Sequence, residues 1–282
     1  MTTTGHDLEA EIATVMECPP ALLPLLPELL RDLPDLSGAT ADVLDLLADA
    51  GLAPGSRVLD VGCGRGDVAL AVVRRFDVAV DGVDAFAPFV ASALARAAAA
   101  GLAQRCRFRQ ADLRTALAGG ADYDAVLYVA LGPLLGDPAA TVAALRRRVR
   151  PGGAIVIDDA FLAPGHAPPA AWPAYRDRAT TEAGLTAWGD RIEGVRLAGP
   201  ASEAFAAATL AAIRRRVAEL HRRHPDRAAD LDAYLARQIE EFALLAPGGG
   251  LVAAIWRLCR SPSFKPGSMA GADKLPVPSS ER

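Results

Sequence analysis

From Arg57 onward, short apolar runs alternate with longer segments in which apolar residues recur every three or four positions. The runs are RVLDV (57–61), VAVDGVD (78–84), CRFRQAD (106–112), DAVLYVAL (124–131) and AIVIDDAF (154–161), each the length of a strand. The Ala/Leu/Arg segments between them, 67–76, 87–101 and 138–149, have the length and period of helices. Strands alternating with helices predict βαβ units and a mostly parallel sheet covered on both faces.

The pattern differs on either side of this core. Residues 1–52 read as helices: ALLPLLPELLRDL (21–33) is leucine-rich, and GATADVLDLLADAGL (38–52) has apolar positions at helical spacing. APGS (53–56) is a turn. After Phe161 comes a Pro-rich loop, LAPGHAPPAAWPAY (162–175), and then LTAWGDRIEGVRL (185–197), a strand or hairpin. Helical segments at 202–223 and 226–244 form an insertion before a last buried strand, GLVAAIWRLCR (250–260). The expected organisation is a helical lid over 1–52, a domain over 53–260 with its insertion at 202–244, and a disordered Pro/Ser/Gly-rich tail over 261–282.

Composition narrows the partners. The chain has 282 residues, 51% of them apolar and 23% charged, with a net charge of −4. That balance supports a large core and gives no support for a nucleic-acid partner. The arginine runs 146–148 and 214–216 read as solvated helix faces. Cys18, Cys63, Cys106 and Cys259 form no Cys-x-x-Cys pair, which points to reduced thiols rather than disulfides or a zinc site. The N-terminus has neither a basic start nor a long apolar run, and ASALARAAAAGLA (91–103) is short and broken by Arg96. The expectation is therefore a cytoplasmic protein with no membrane partner, with a homodimer left open.

The chemistry begins at VLDVGCGRGDVAL (58–70). Glycines this dense between a strand and a helix make a tight turn and often cradle a nucleotide-like ligand. A dinucleotide fingerprint, G-x-G-x-x-G counted from Gly62, would need glycine where Asp67 stands. A carboxylate at a helix N-terminus suits a pyrophosphate poorly. No Gly-Lys-Ser/Thr follows, so a Walker loop fails as well.

The pattern D-x-G-x-G-x-G resembles motif I of the class I S-adenosylmethionine-dependent methyltransferases, and the resemblance extends over 57–161. It implies a seven-stranded, mostly parallel, Rossmann-like sheet with helices on both faces, and S-adenosylmethionine as cofactor. Asp60 would orient the loop and favour the ammonium, and Gly62, Cys63, Gly64 and Gly66 would pack against the methionine and ribose. Asp84, 18 residues after Gly66 and followed by Ala85, would accept the ribose hydroxyls. The competing reading makes Asp84 the N-cap of the helix starting near Ala87. Asp112 would pair with the adenine amino group and Leu113 would lie against the ring, with Val129 at the end of strand four. Asp124 matches the acid that opens strand four, and RPGG (150–153) the turn before strand five.

The acceptor side is less determined. Strand four ends in VALGPLLGD (129–137) and lacks the Asn/Asp-Pro-Pro-Tyr signature of adenine-N6 and glutamine-N5 methylation. Asp158 and Asp159 align with an Asp-Asn pair that helps bind magnesium in catechol O-methyltransferase-like enzymes. The strand-four aspartate of that site is replaced by Val129, Ala130 and Leu131, so no metal is expected. Asp159 is then a substrate ligand or general base, or caps a turn, and His166 is either a proton acceptor or simply exposed. Trp172 and Tyr175 either wall a substrate or pack beneath the loop. His221 and His224, at a helix end, and Glu240 and Glu241 read as surface groups, the glutamates also as pocket rim; Cys63 needs no reactive role. The implied activity is methyl transfer to a small organic molecule, at oxygen, in an enclosed apolar pocket. A cofactor-binding domain without catalysis and a nicotinamide-dependent oxidoreductase are the alternatives.

Overall fold

The structure, a computed structural model, describes residues 5–262; residues 1–4 and most of the expected tail, 263–282, lie outside the described residues. The chain begins with α1 (Gly5–Val15), a 3-10 turn (Pro20–Leu25), α2 (Leu26–Leu29) and α3 (Thr40–Asp49). The core then runs β1 (Arg57–Val61), α4 (Asp67–Phe76), β2 (Ala79–Asp84), α5 (Ala87–Ala99), β3 (Cys106–Gln110) and α6 (Leu113–Leu117). It continues through β4 (Tyr123–Tyr128), α7 (Pro138–Leu145), β5 (Val149–Leu162), α8 (Arg178–Leu185) and β6 (Arg191–Leu197). Two long helices, α9 (Pro200–Arg223) and α10 (Ala228–Leu245), precede the last strand, β7 (Leu251–Cys259).

The sheet order is β3-β2-β1-β4-β5-β7-β6, and β7 runs antiparallel to both of its neighbours. Strand order reverses between β1 and β4, where Val58 lies between Val80 and Ala125 in register. Ligands of open α/β sheets bind in the crevice outside the carboxyl ends of the strands at such a switch point.

Two apolar cores cover the two faces. Val43, Leu46, Val72 and Ala93 pack on one, and Val142, Leu145, Leu185 and Trp256 on the other. A third core joins the N-terminal segment to the insertion. Leu22, Leu26, Leu29, Leu220 and Leu231 are fully or almost fully buried there. At roughly 2 kcal/mol of gross burial each, these leucines bind the segment over the carboxyl edge of the sheet as a roof.

Three expectations need correction. The leucine-rich stretch 21–33 is not one helix: Pro24 and Pro27 remove amide donors, and the chain makes a 3-10 turn followed by a single α-turn. A helix, α8, fills the unassigned stretch after the Pro-rich loop, and the strand within 185–197 begins only at Arg191. The arginine runs are not simply solvated. Arg216 is buried and donates to the Glu28 carbonyl (3.1 Å) and to Glu219 (2.6 Å). Arg146 pairs with Asp190 (3.0 Å), and Arg148 lies over the Tyr123 ring.

Candidate active site

The glycine loop connects β1 to α4 with Gly62, Gly64 and Gly66 all in the left-handed region (φ +72°, +52° and +76°). Four of its amides are committed within the protein. Those of Gly62 and Cys63 donate to the Val83 carbonyl (2.8 and 3.0 Å), that of Gly64 to Asp84 Oδ2 (2.8 Å), and that of Gly66 to the Cys63 carbonyl (2.8 Å). None of these four is left to cradle a phosphate, as a phosphate-binding loop requires. The first turn of α4 already holds the Asp67 carboxylate, which is bridged to Arg96 and lies 3.5 Å from Arg65. Cys63 turns its buried sulfur toward Gly82, and burial raises the thiol well above its ordinary range.

Two acids flank the loop. Asp60 on β1 is 2% exposed, and its Oδ2 has no hydrogen-bond partner. Burial first, then the Asp84 and Asp67 carboxylates, push it up to about 7, against the Ala69 amide. Asp84, at the end of β2, accepts the Phe86 amide on Oδ1 (2.8 Å) and the Gly64 amide on Oδ2. Burial raises it, partly offset by these amides. It does not cap α5, whose N-cap position is Phe86 with no side-chain cap. A buried carboxyl oxygen without a partner, set among other carboxylates, suits a cation, and a second carboxylate held by backbone amides suits a diol. This donor set fits S-adenosylmethionine and does not fit a dinucleotide.

The adenine-side residues are in the expected order along the chain. Asp112 is the N-cap of α6, with Oδ1 accepting the Arg114 amide (2.7 Å), and Leu113 and Val129 are buried. The Ala85 carbonyl accepts from Gln110 (3.1 Å). Asp124 has a scaffold role, accepting the Arg57 amide (2.7 Å) and an Arg150 guanidinium N–H (2.6 Å).

At the end of β5, side-chain alternation separates the two aspartates. Asp159 shares the face of Ile155, Ile157 and Phe161, and Asp158 that of Ala154 and Val156. Opposite faces are a poor arrangement for joint chelation of one cation, and among the described residues no group of three or more His, Cys, Asp or Glu is placed to hold a metal. Both sit deep in the molecule yet keep some accessible surface, as groups lining a cleft do. Burial and the neighbouring Asp159 raise Asp158 to about 8, against a hydrogen bond from the Ala130 backbone. Ala130 adopts a left-handed conformation (φ +55°), rare for a residue with a side chain. Burial lifts Asp159 to about 6, held down by the Ala160 amide (2.8 Å) and the Tyr175 hydroxyl. His166 does not join this group: it is exposed, with Nδ1 3.3 Å from the Pro164 carbonyl and its ring against Gly250.

Comparison with known proteins agrees with this geometry. The methyltransferase domain family matches residues 58–153. The chain has the class I methyltransferase fold. A Geobacter sulfurreducens S-adenosylmethionine-dependent methyltransferase, solved with S-adenosyl-L-homocysteine, superposes with a TM-score of 0.69 at 23% identity, covering 83% of this chain and 97% of that one. A Thiobacillus denitrificans methyltransferase, solved with the same ligand, gives 0.66 at 22% identity over 83% and 97%. The [4+2]-cyclase SpnF has the same fold, with a TM-score of 0.69 at 18% identity over 89% and 94%.

Several residues that shape the crevice left little trace in sequence. Arg65, between two motif glycines, is buried and donates to the Leu30 and Leu33 carbonyls (2.9 and 2.7 Å), tying the loop to the roof. A charged residue inside a glycine motif was the available signal. Leu36 and Leu131 cover Gly64 and Gly62, and a Cβ on Gly62 would lie 2.5 Å from Leu131. Glu241 is not a plain surface group, because burial and the neighbouring Glu17 raise it to about 7, whereas Glu240 is exposed. His221 pairs with Asp232 (3.1 Å), and His224 ends α9.

Proposed function

We propose that the chain binds S-adenosylmethionine in the crevice at the β1–β4 switch point and transfers its methyl group to an oxygen of a small organic molecule. The observation that carries the reading is the glycine loop, with four of its amides committed, beside the buried and unpartnered Asp60 oxygen. When bound, the cofactor supplies an electrophilic methyl carbon for in-line displacement. Asp60 and Asp84 would hold its cationic and diol portions, and Asp112, Leu113 and Val129 would frame its base. The roof excludes water.

On the acceptor side, Asp159 is the base. With its acidity lowered only to about 6, it is largely ionised at neutral pH and can take a proton from a hydroxyl. Tyr175 donates to that carboxylate and fixes its orientation. The absence of the Asn/Asp-Pro-Pro-Tyr signature after β4 supports oxygen over an exocyclic or amide nitrogen.

Incubation with methyl-labelled cofactor and a panel of hydroxylated aromatic and aliphatic metabolites should label at least one. A second reading has the cofactor held without methyl transfer; it is favoured by the fold shared with a [4+2]-cyclase. Tight calorimetric binding of S-adenosylhomocysteine with no transfer across the panel would select that second reading. No binding at all would refute both.

A further inference from the structure

One carboxylate, Glu17, stands where three distant segments of the chain meet. It follows α1 in a left-handed backbone conformation (φ +49°), which costs a residue with a Cβ on the order of 1 kcal/mol and persists where surrounding contacts impose it. From the Pro-rich loop after β5, Trp172 Nε1 donates to Glu17 Oε1 (2.7 Å). From α10, Arg237 reaches both carboxylate oxygens at 3.4 Å, and its guanidinium stacks 3.7 Å over the Trp172 ring. Glu241, one turn further along α10, hydrogen-bonds the same carboxyl group. Tyr175, three residues beyond Trp172, is the phenol that donates to Asp159.

The seam between α1 and α10 contrasts with the rest of the roof. An open groove of about 390 Å³ lies there, with Glu17, Cys18 and Arg237 in its wall and the small side chains of Ala10, Ala13 and Ala233 around them. The groove wall itself is built of small side chains, whereas leucines fill the neighbouring junction of α2 with α9 and α10. Regions with few buried apolar contacts open locally at low free energy. The polar junction is also shared: losing either donor leaves a sheltered carboxylate with a single cationic or indole partner and weakens the contact among all three segments.

We propose that Glu17, Trp172 and Arg237 form the latch of the acceptor chamber, and that the groove between α1 and α10 is the port through which the acceptor reaches Asp159. Closed, the latch holds the loop 163–177 so that Tyr175 meets Asp159. Open, it frees the loop and joins the groove to the acid end of β5. All three are positioning residues. The inference rests on the reading that Asp159 serves the acceptor.

The latch can be tested without cofactor, because Cys18 lies in the port wall and is buried, as are Cys63 and Cys106 in the core. Maleimide labelling of the full chain, located by mass spectrometry, should be slow at all three in the wild type. Glu17→Gln and Trp172→Phe should each speed labelling at Cys18 by about tenfold, the factor that loss of one charge-assisted hydrogen bond gives to an opening equilibrium. Cys63 and Cys106 should stay slow. An unchanged Cys18 rate, or an equal rise at all three thiols, would overturn the latch. For the port, Ala233→Trp on the exposed rim should cut label transfer to the metabolite panel at least tenfold while S-adenosylhomocysteine affinity stays within twofold. Undiminished transfer would overturn it. A wild type that transfers nothing fails the proposed function instead, and the Cys18 rates still decide the latch.

Discussion

Asp60→Asn should make the ligand-free protein more stable and its cofactor site worse. In the fold the Asp60 carboxyl is buried, one oxygen is unpartnered, and two further carboxylates face it. These surroundings move it from an ordinary 3.8 to about 7. At about 1.4 kcal/mol per tenfold, ionised Asp60 destabilises the folded chain by about 4 kcal/mol at pH 8. Between pH 4 and 7 the folded state keeps a proton that the unfolded chain has lost, so this penalty grows as pH rises. Below pH 4 both states are protonated and it disappears. Asparagine keeps an acceptor for the Ala69 amide and removes the charge. Thermal melts of the ligand-free variant should therefore rise by roughly 5 °C or more at pH 8 and be unchanged at pH 4. Calorimetry at pH 8 should show S-adenosylhomocysteine affinity about tenfold or more weaker. A variant no more stable than wild type at pH 8, or equally stabilised at both pH values, would refute the electrostatic reasoning. Unchanged affinity would remove Asp60 from the ligand site.

Other expected outcomes follow from the same geometry. Asp84→Ala removes the acceptor of the Gly64 and Phe86 amides and should weaken S-adenosylhomocysteine binding by about 1–3 kcal/mol, read by calorimetry. Arg65→Ala cuts the tie between the glycine loop and the Leu30 and Leu33 carbonyls. It should cost about 2–4 kcal/mol in denaturant melts and speed hydrogen exchange over residues 26–36 before the sheet. Methyl transfer should survive excess chelator, since Asp158 and Asp159 point to opposite faces of the sheet; loss restored by magnesium would contradict this.

What was legible in the sequence was periodic. The five apolar runs from 57 to 161 became β1 to β5, and VLDVGCGRGDVAL became strand, left-handed loop and helix, because buried parallel strands and positive-φ glycines leave local marks. Stretch 21–33 misled because leucine spacing suggested a helix while two prolines decided against it. Helix α8 was missed because Thr180, Thr181 and Gly184 are weak helix formers. Its start rests on the Asp177 cap and its stability on tertiary packing of Leu185. In the site, the acids near the motif could be placed by counting along the chain. The partners of Arg65, Glu17 and Tyr175 could not, because they lie 32 to 35, 155 to 220 and 16 residues away and no local pattern reports them.

The spent amides of the glycine loop bear on selectivity among adenine-bearing metabolites. With four loop amides satisfied by Val83, Cys63 and Asp84, and with the Asp60 and Asp84 carboxyls close by, the crevice would sort nucleosides by repulsion. A triphosphate or a dinucleotide would bring anions to these carboxylates and find the amides of Gly62, Cys63, Gly64 and Gly66 already spent. A neutral or cationic tail meets no such barrier. The motif therefore discriminates chiefly through the molecules it turns away.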